Sequence, residues 1–425
     1  MHLSFPEPIA AALPIIERLR ENYFEAVFVG GAVRDSVLGL SIKDVDIATS
    51  ARPEQVLGLF ERCIPTGLQH GTITVVHEGE TYEVTTFRLE SAYEAHRKPE
   101  SVEYITELDG DLLRRDFTMN AMALGLDGVL YDPYGGVQDL KKRRLRSVGD
   151  ANARFQEDAL RMLRAVRFIG IYQLRPAHHT WRAVLQHCHL MRFIALERVQ
   201  VELDKMLAGA VPQRALRFVA ASGLLFHLKD SLGPDIEFAM KEAEQSAFNK
   251  NLFERLHELT DLDLRWAFIA IVLNQSTETA SHALQVLRFP TGRSRRIAAI
   301  VQVHFDMLSN VELFQGREFQ RQWVKLVLVS GQAAASEWLQ VARAAHAESS
   351  SFSKELLNDL ERWLNEMTIL SLKQLSVSGR DLIKHLQREA GPWVSECLKR
   401  LLFLAAIGEL ENEKQALLQE AAIQQ

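Results

Sequence analysis

The feature that most constrains this chain is a change of hydrophobic period near residue 140. Before it, short β-branched runs dominate: Ala26-Val27-Phe28-Val29, Asp44-Val45-Asp46-Ile47, Gly71 to Val76 and Thr81 to Phe87. Such runs read as strands of one sheet, preceded by a helix-like stretch from Ile9 to Asn22. Beyond residue 140 the strand signal fades, and apolar residues recur at helical spacing in Glu157 to Gly170, Thr180 to Cys188, Leu196 to Leu207 and Pro212 to Ala220, with Gly223 as a stop. The turn Asp132-Pro133-Tyr134-Gly135-Gly136 closes the first part, Ser349-Ser350-Ser351 separates two later helical stretches, and Gly391-Pro392 precedes a helix beginning near Trp393. The pattern predicts an α+β chain with a small sheet-bearing part at 1–139 and all-α parts at 140–205, 206–285 and 286–425. No repeat of solenoid period is present.

Composition bounds the rest. With 47% hydrophobic and 24% charged residues in 425, the chain can bury real cores, which excludes disorder, collagen and a disulfide scaffold. Uncharged apolar runs such as Leu401 to Gly408 fall short of the roughly 20 residues a membrane span needs. The start, with Glu7 and no basic stretch, is not expected to be a signal peptide. Cys63, Cys188 and Cys397 lie far apart without metal-ligand spacing, so a cytoplasmic protein with reduced thiols is expected. The net charge of −6 argues against blanket coating of nucleic acid, yet residues 141–198 carry thirteen Lys and Arg against four acids, a local +9. A basic band in an acidic body points to a local polyanion site.

Asp44-Val45-Asp46 is the most informative short motif. On a strand, residues i and i+2 share a face about 6.5–7 Å apart. Two carboxylates there, with Val45 and Ile47 opposite, make a hard-oxygen site suited to Mg²⁺. Such a pair can hold two ions about 3.5–4 Å apart, one activating an attacking oxygen and one stabilising a leaving oxygen. Glu83 is a candidate third carboxylate. Gly30-Gly31 ends a strand 13 residues or so upstream of that pair, a spacing read directly from the chain. Glycines there let backbone N–H groups approach phosphate, and Arg34 can add a charge-assisted bond. The spacing fits neither a P-loop nor a dinucleotide fingerprint.

Two further motifs address a nucleotide. In Arg114-Arg115-Asp116-Phe117-Thr118-Met119-Asn120-Ala121 the arginines suit phosphate, and Asp116 or Asn120 suits ribose hydroxyls; Asp116 also reads as a helix N-cap. In Glu157 to Phe168, a single helix would set Asp158 and Arg161 about 60° apart, able to address one ligand. Asp accepts from an exocyclic amine while Arg donates to the adjacent ring nitrogen. Cytosine and adenine offer that order; guanine and uracil offer the reverse and would leave both groups unpaired. Arg164 and Arg167, rotated away on the same wheel, suit phosphate or packing of the helix.

Taken in order, GGAVRD at 30–35, DVD at 44–46, RRDFTMNA at 114–121 and EDALRMLRAVRF at 157–168 resemble the class II tRNA nucleotidyltransferases, the CCA-adding enzymes, a family that also holds bacterial poly(A) polymerases. Val377 to Leu382 and Gly391-Pro392-Trp393 resemble the tail of the shorter bacterial members. The resemblance implies a polymerase-β-like nucleotidyltransferase head followed by an all-α neck, body and tail. It implies that Asp44 and Asp46 are catalytic and bind Mg²⁺, and that Gly31, Arg34 and Arg115 contact the incoming nucleotide. Asp158 and Arg161 would be the protein template for the base, with Arg164 and Arg167 completing the pocket. The implied partners are CTP, ATP and the acceptor arm and 3′ end of tRNA, with no membrane. The segment Leu89 to Val102, containing His96-Arg97-Lys98-Pro99, resembles the flexible loop used in switching from C to A and favours full CCA addition. No His-Asp dipeptide is present, so no appended phosphohydrolase domain is expected, and ELENEKQALLQEAAIQQ is not the basic extension of a poly(A) polymerase. A CC-only or A-only enzyme, a poly(A) polymerase and a non-catalytic RNA-binding module remain as alternatives. Oligomeric state has no handle in the sequence.

Overall fold

The computed structural model describes residues 1–90, 93–94, 98–99, 102–245, 253–313, 316–345 and 352–423. The chain forms two compact units, Met1–Ser231 and Leu232–Gln425.

The first unit opens with helix α1 (Glu7–Glu21), whose buried stripe Ile9, Ala12, Ile15, Ile16 and Leu19 follows helical spacing. Strand β1 (Ala26–Val29) is buried at every residue and runs directly into α2 (Gly30–Leu38). There follow β2 (Asp46–Thr49), α3 (Pro53–Leu59), β3 (Cys63–Gly67), β4 (Thr72–His77) and β5 (Glu80–Thr86). Next come β6 (Arg88–Glu90), β7 (Tyr93–Glu94), β8 (Lys98–Pro99), β9 (Val102–Tyr104), α4 (Leu108–Leu113), β10 (Ala123–Leu124) and β11 (Leu130–Tyr131). Among the described residues seven strands form one sheet in the order β11-β10-β1-β2-β5-β4-β3. Its neighbours are antiparallel except β2 and β5, which run parallel with Asp46 opposite Glu83.

The helical remainder of this unit is α5 (Gly136–Lys141), β12 (Arg144–Leu145), α6 (Ala151–Glu157), α7 (Leu160–Ile171), β13 (Arg175–Pro176), α8 (His178–His187), α9 (Leu196–Leu207) and α10 (Pro212–Ser222). Helix α7 packs closely on α10: a Cβ at Gly170 would lie 2.6 Å from the Ala215 Cβ, so only glycine fits. The second unit is helical throughout its described residues, with α11 (Pro234–Gln245), α12 (Leu262–Val272), α13 (Thr277–Val286), α14 (Thr291–Leu313), α15 (Gly316–Ser330), α16 (Gln332–Ala345), α17 (Lys354–Glu366), α18 (Gly379–Leu386), α19 (Pro392–Ala406) and α20 (Lys414–Ile423). Its core holds Trp323 and Trp338, both fully buried and 5.7 Å apart between ring centroids. No helix of the described residues is long and apolar enough to cross a membrane.

The α+β class is as the period change indicates. Three local expectations are corrected. The strand carrying Asp44-Val45-Asp46 begins only at Asp46, and Asp44 precedes it on exposed backbone. The helix expected over Glu157 to Gly170 is two helices: Asp158 takes extended angles (φ −133°, ψ 105°) and Ala159 starts the next turn. The ends of the presumed loop Leu89 to Val102 pair as strands, β6 with β9 and β7 with β8. His96 and Arg97 of that segment, like Ser349 to Ser351, lie outside the described residues.

Candidate active site

Sheet register builds one wall of a cavity of about 920 Å³. Val29, the last residue of β1, pairs with Asp46, and Asp46 pairs on its other side with Glu83. The turn from β1 into α2 therefore passes directly over Asp46. Gly30 occupies it with φ +70°, and a Cβ there would lie 3.1 Å from Asp46 Oδ2 and 3.5 Å from Arg115 Nη1. Both the positive φ and the close approach call for glycine. Asp44, Asp46 and Glu83 line this wall together with Gly30 and Gly31. Among the described residues none of the three carboxylates belongs to an ion pair. Burial, then the Glu83 carboxylate and more weakly Asp44, push the Asp46 carboxyl above its ordinary range, with Arg115 and Arg34 opposing.

This excess of negative charge on hard oxygens is what a divalent cation would relieve. The described residues hold no cluster of three or more His, Cys, Asp or Glu at metal-holding spacing. The arrangement fits Mg²⁺, which takes one or two protein carboxylates and completes its shell with substrate phosphate and water.

The opposite wall comes from the helical part and carries Asp158, Arg161, Arg164, Arg167, Phe168, Arg198 and Lys205. Each arginine there is held by an acid. Arg161 donates to Glu157 Oε2 at 2.7 Å and to the Arg114 carbonyl at 3.0 Å. Arg164 Nε donates to Asp116 Oδ2 at 2.7 Å, and Arg167 Nε donates to Glu202 Oε2 at 2.7 Å. Arg198 Nη2 donates to Asp158 Oδ2 at 3.1 Å, while Asp158 Oδ1 accepts from the Leu160 N–H at 3.0 Å. The Phe168 ring lies under three guanidiniums, with Arg167 at 4.2 Å, Arg164 at 5.4 Å and Arg34 at 5.6 Å from its centroid.

The two walls meet through Asp116, which holds Arg164, and through the Arg114 carbonyl, which holds Arg161, while Asp111 steadies Arg114 and Arg115. Buried Asp111 accepts from Arg114 Nη2 at 2.6 Å and from Arg115 Nη2 at 2.9 Å. Burial would raise its carboxyl, but the two guanidiniums outweigh burial and hold it low. Arg115 Nε is buried with no hydrogen-bond partner among the described residues. Asp116 accepts at Oδ1 from the Phe117 N–H at 2.8 Å and from Asn120 Nδ2 at 3.1 Å. Burial opposes ionisation there too, yet Arg164 and Asn120 bring the carboxyl down to about 2.

The candidate metal and nucleotide residues thus line one cavity: Gly31, Arg34, Asp44, Asp46, Arg115, Asp158, Arg161, Arg164 and Arg167. The single-helix geometry assumed for Asp158 and Arg161 does not hold, because Asp158 sits in the break between α6 and α7. The same break removes the reason for turning Arg164 and Arg167 away from the base edge. Asp116 caps no α-helix; it precedes a short 3₁₀ turn at Thr118–Asn120 and, with Asn120, holds Arg164 and Arg34. Sequence reasoning missed Asp111, Arg198, Glu202 and Lys205. Arg198 and Glu202 stand four residues apart on α9, and an acid on the apolar stripe of an amphipathic helix was the available signal.

The sequence matches the family model for the poly A polymerase head domain over residues 26–146 and that for tRNA nucleotidyltransferase domain 2 over residues 257–421. It is 38% identical over 408 residues to the CCA-adding enzyme of Geobacillus kaustophilus (strain HTA426), covering 96% of this chain and 95% of the relative. The corresponding enzyme of Geobacillus sp. (strain WCH70) is 36% identical over 414 residues, again across 96% and 95% of the two chains. The chain belongs to the family of CCA-adding enzymes. Its fold overlays the crystal structure of the Bacillus stearothermophilus CCA-adding enzyme in complex with CTP with a TM-score of 0.82, 34% identity and coverage of 98% and 97%. The Thermotoga maritima CCA-adding enzyme complexed with tRNA-CCA shares the fold at 19% identity and a TM-score of 0.66, with coverage of 98% and 95%.

Proposed function

We propose that this chain adds C, C and A to the 3′ end of tRNA from CTP and ATP, without a nucleic-acid template. The observation that carries this reading is one cavity with carboxylates on its sheet wall and arginines on its helical wall, in a member of this family. The tRNA 3′ oxygen forms a bond to the α-phosphorus of the nucleotide, the bond from that phosphorus to the bridging oxygen breaks, pyrophosphate leaves, and the hydroxyl proton passes to solvent. Asp44 and Asp46 are the residues that would hold Mg²⁺, with Glu83 beside them. When bound, the metal neutralises the triphosphate and lowers the pKa of the attacking hydroxyl.

Gly31 lets backbone approach the phosphates, and Arg34 and Arg115 donate to them. Asp158 keeps one lone pair on each oxygen after Leu160 and Arg198 are served, enough to accept from N4–H₂ of cytosine or N6–H₂ of adenine. Arg161 donates to the adjacent ring nitrogen, with Arg164 and Arg167 completing the pocket. Guanine and uracil present a carbonyl to Asp158 and N–H to Arg161, a mismatch of a few kcal/mol. The head, neck, body and tail division at 1–139, 140–205, 206–285 and 286–425, binding of the tRNA arm largely through its phosphates and shape, and a cytoplasmic setting belong to the same proposal.

The test is extension of a tRNA lacking its CCA end, with Mg²⁺ and each nucleotide singly or CTP with ATP. Growth by three nucleotides with CTP and ATP, and none with GTP or UTP, is expected. A stop at two nucleotides would assign a CC-adding enzyme, a long adenylate ladder would assign a poly(A) polymerase, and no extension would leave a binding module.

A further inference from the structure

Helix α7 is tied to the sheet module at both ends. Near its start Arg164 donates to Asp116 Oδ2. At its end, about 12 Å along the axis, the Tyr172 hydroxyl donates to Asp35 Oδ1 at 3.1 Å. Between those anchors runs a continuous series of side chains. Asp35 takes both Arg34 Nε and Arg34 Nη2 at 2.9 Å, Arg34 Nη1 donates to Asn120 Oδ1 at 2.7 Å, and Asn120 Nδ2 donates to Asp116 Oδ1 at 3.1 Å. The Tyr172 ring faces the Arg34 guanidinium at 4.5 Å from its centroid. Burial, helped by Asp35, pushes the Tyr172 phenol up to about 12, so it remains a donor at any working pH.

A guanidinium has five N–H groups. Three of those on Arg34 are spent on Asp35 and Asn120, which leaves one on each terminal nitrogen for the cavity it lines. Where those two point depends on the plane of the Asp35 carboxylate, and Asp35 Oδ1 is held from two sides, by Arg34 and by Tyr172. We propose that Tyr172 is a positioning residue for nucleotide binding: it aims Arg34 through Asp35 and so fixes the sheet wall of the cavity against helix α7. Tyr172 touches no reacting atom, and the proposal rests on the reading of the cavity as the CTP and ATP site.

Tyr172→Phe keeps the ring over Arg34 and deletes only the hydroxyl. The experiment compares it with the native chain by calorimetric binding of CTP and of ATP, by kcat and KM on tRNA lacking CCA, and by thermal midpoint. Kd and KM for both nucleotides should rise about five- to ten-fold, as for a weakened bond to a charged group, with kcat within about two-fold, since the contact serves ground state and transition state alike. Placed in an Arg34→Gln chain, the same substitution should change nothing more, because its effect runs through Arg34. Unchanged Kd and KM, a lowered thermal midpoint without a binding change, or effects that multiply with Arg34→Gln would each overturn the proposal. A native chain that fails to extend tRNA would overturn the functional reading instead, while the nucleotide Kd values still judge the role of Tyr172.

Discussion

On the sheet side of the cavity Asp44, Asp46 and Glu83 line the wall without an ion pair among the described residues, and on the helix side Arg161, Arg164, Arg167 and Arg198 each hold an acid of the same chain. Asp46 and Glu83 stand in register across parallel strands, and burial first, then the Glu83 charge, raises the Asp46 carboxyl. That wall is completed only by what binds to it. The other wall is completed by folding: Glu157, Asp116, Glu202 and Asp158 fix each guanidinium before any ligand arrives, so little ordering remains to be done on binding. On the function proposed above, the difference gives chemistry to the first wall and selection to the second.

Removing charge from the sheet wall should have the largest effect. Asp46→Asn or Asp44→Asn is expected to lower kcat by about a thousand-fold or more, the scale of losing electrostatic stabilisation at a reacting phosphate. Gel-shift binding of tRNA should stay within about two-fold; a parallel loss of tRNA affinity would break the division of labour. Next comes Asp158→Asn, which puts an amide where the base wall needs an acceptor. The preference for CTP and ATP over GTP and UTP, taken as kcat/KM ratios, should fall about a hundred-fold. Glu202→Gln is expected to be milder. It releases Arg167, so KM for both nucleotides rises about ten-fold at nearly constant kcat, and the thermal midpoint of the first unit drops because a buried partner is lost.

A last effect, on stability and not on activity, lies away from the cavity and checks that the electrostatic argument is general. In the second unit His304 Nδ1 accepts from Trp338 Nε1 at 3.2 Å, and burial depresses the imidazole to about 4 from its ordinary 6.5. Protonation would set two donors against each other. The unfolded chain therefore binds the extra proton first, and stability falls as pH drops from 6.5 toward 4. The loss, discounted for partial exposure, is about 2 kcal/mol. Thermal melts across that window should show it, and His304→Asn should flatten the slope.

Much of this was legible in the chain. The apolar strand running into Gly30-Gly31 and the strands of Asp46 and Glu83 marked out the sheet wall, because strand signals and register place those residues together, whereas Asp44 reaches the same cavity from outside the strand and not through the i, i+2 rule. The helical wall was legible in residue types but not in geometry. Nothing in the order Glu157-Asp158-Ala159-Leu160 forbids a continuous helix. At the break Asp158 makes one local contact, with the Leu160 N–H, and one tertiary contact, with Arg198, forty residues on in the chain. Buried acids were the least visible. Asp111, Asp139 and Glu202 look like surface charges in sequence, yet Asp139 alone takes Arg144, Arg146 and Thr118, so part of the basic band serves the fold rather than a ligand.

The most direct test of the two-wall account is a single set of single-turnover assays on the native chain, Asp46→Asn and Asp158→Asn, with all four nucleotides and tRNA ending in C or CC. The account expects a double separation: Asp46→Asn slows every nucleotide by about a thousand-fold and keeps the native order of preference, whereas Asp158→Asn flattens that order and keeps most of the rate for the best substrate. Loss of rate and of preference together in both variants would contradict it, since the two walls would then be doing one job.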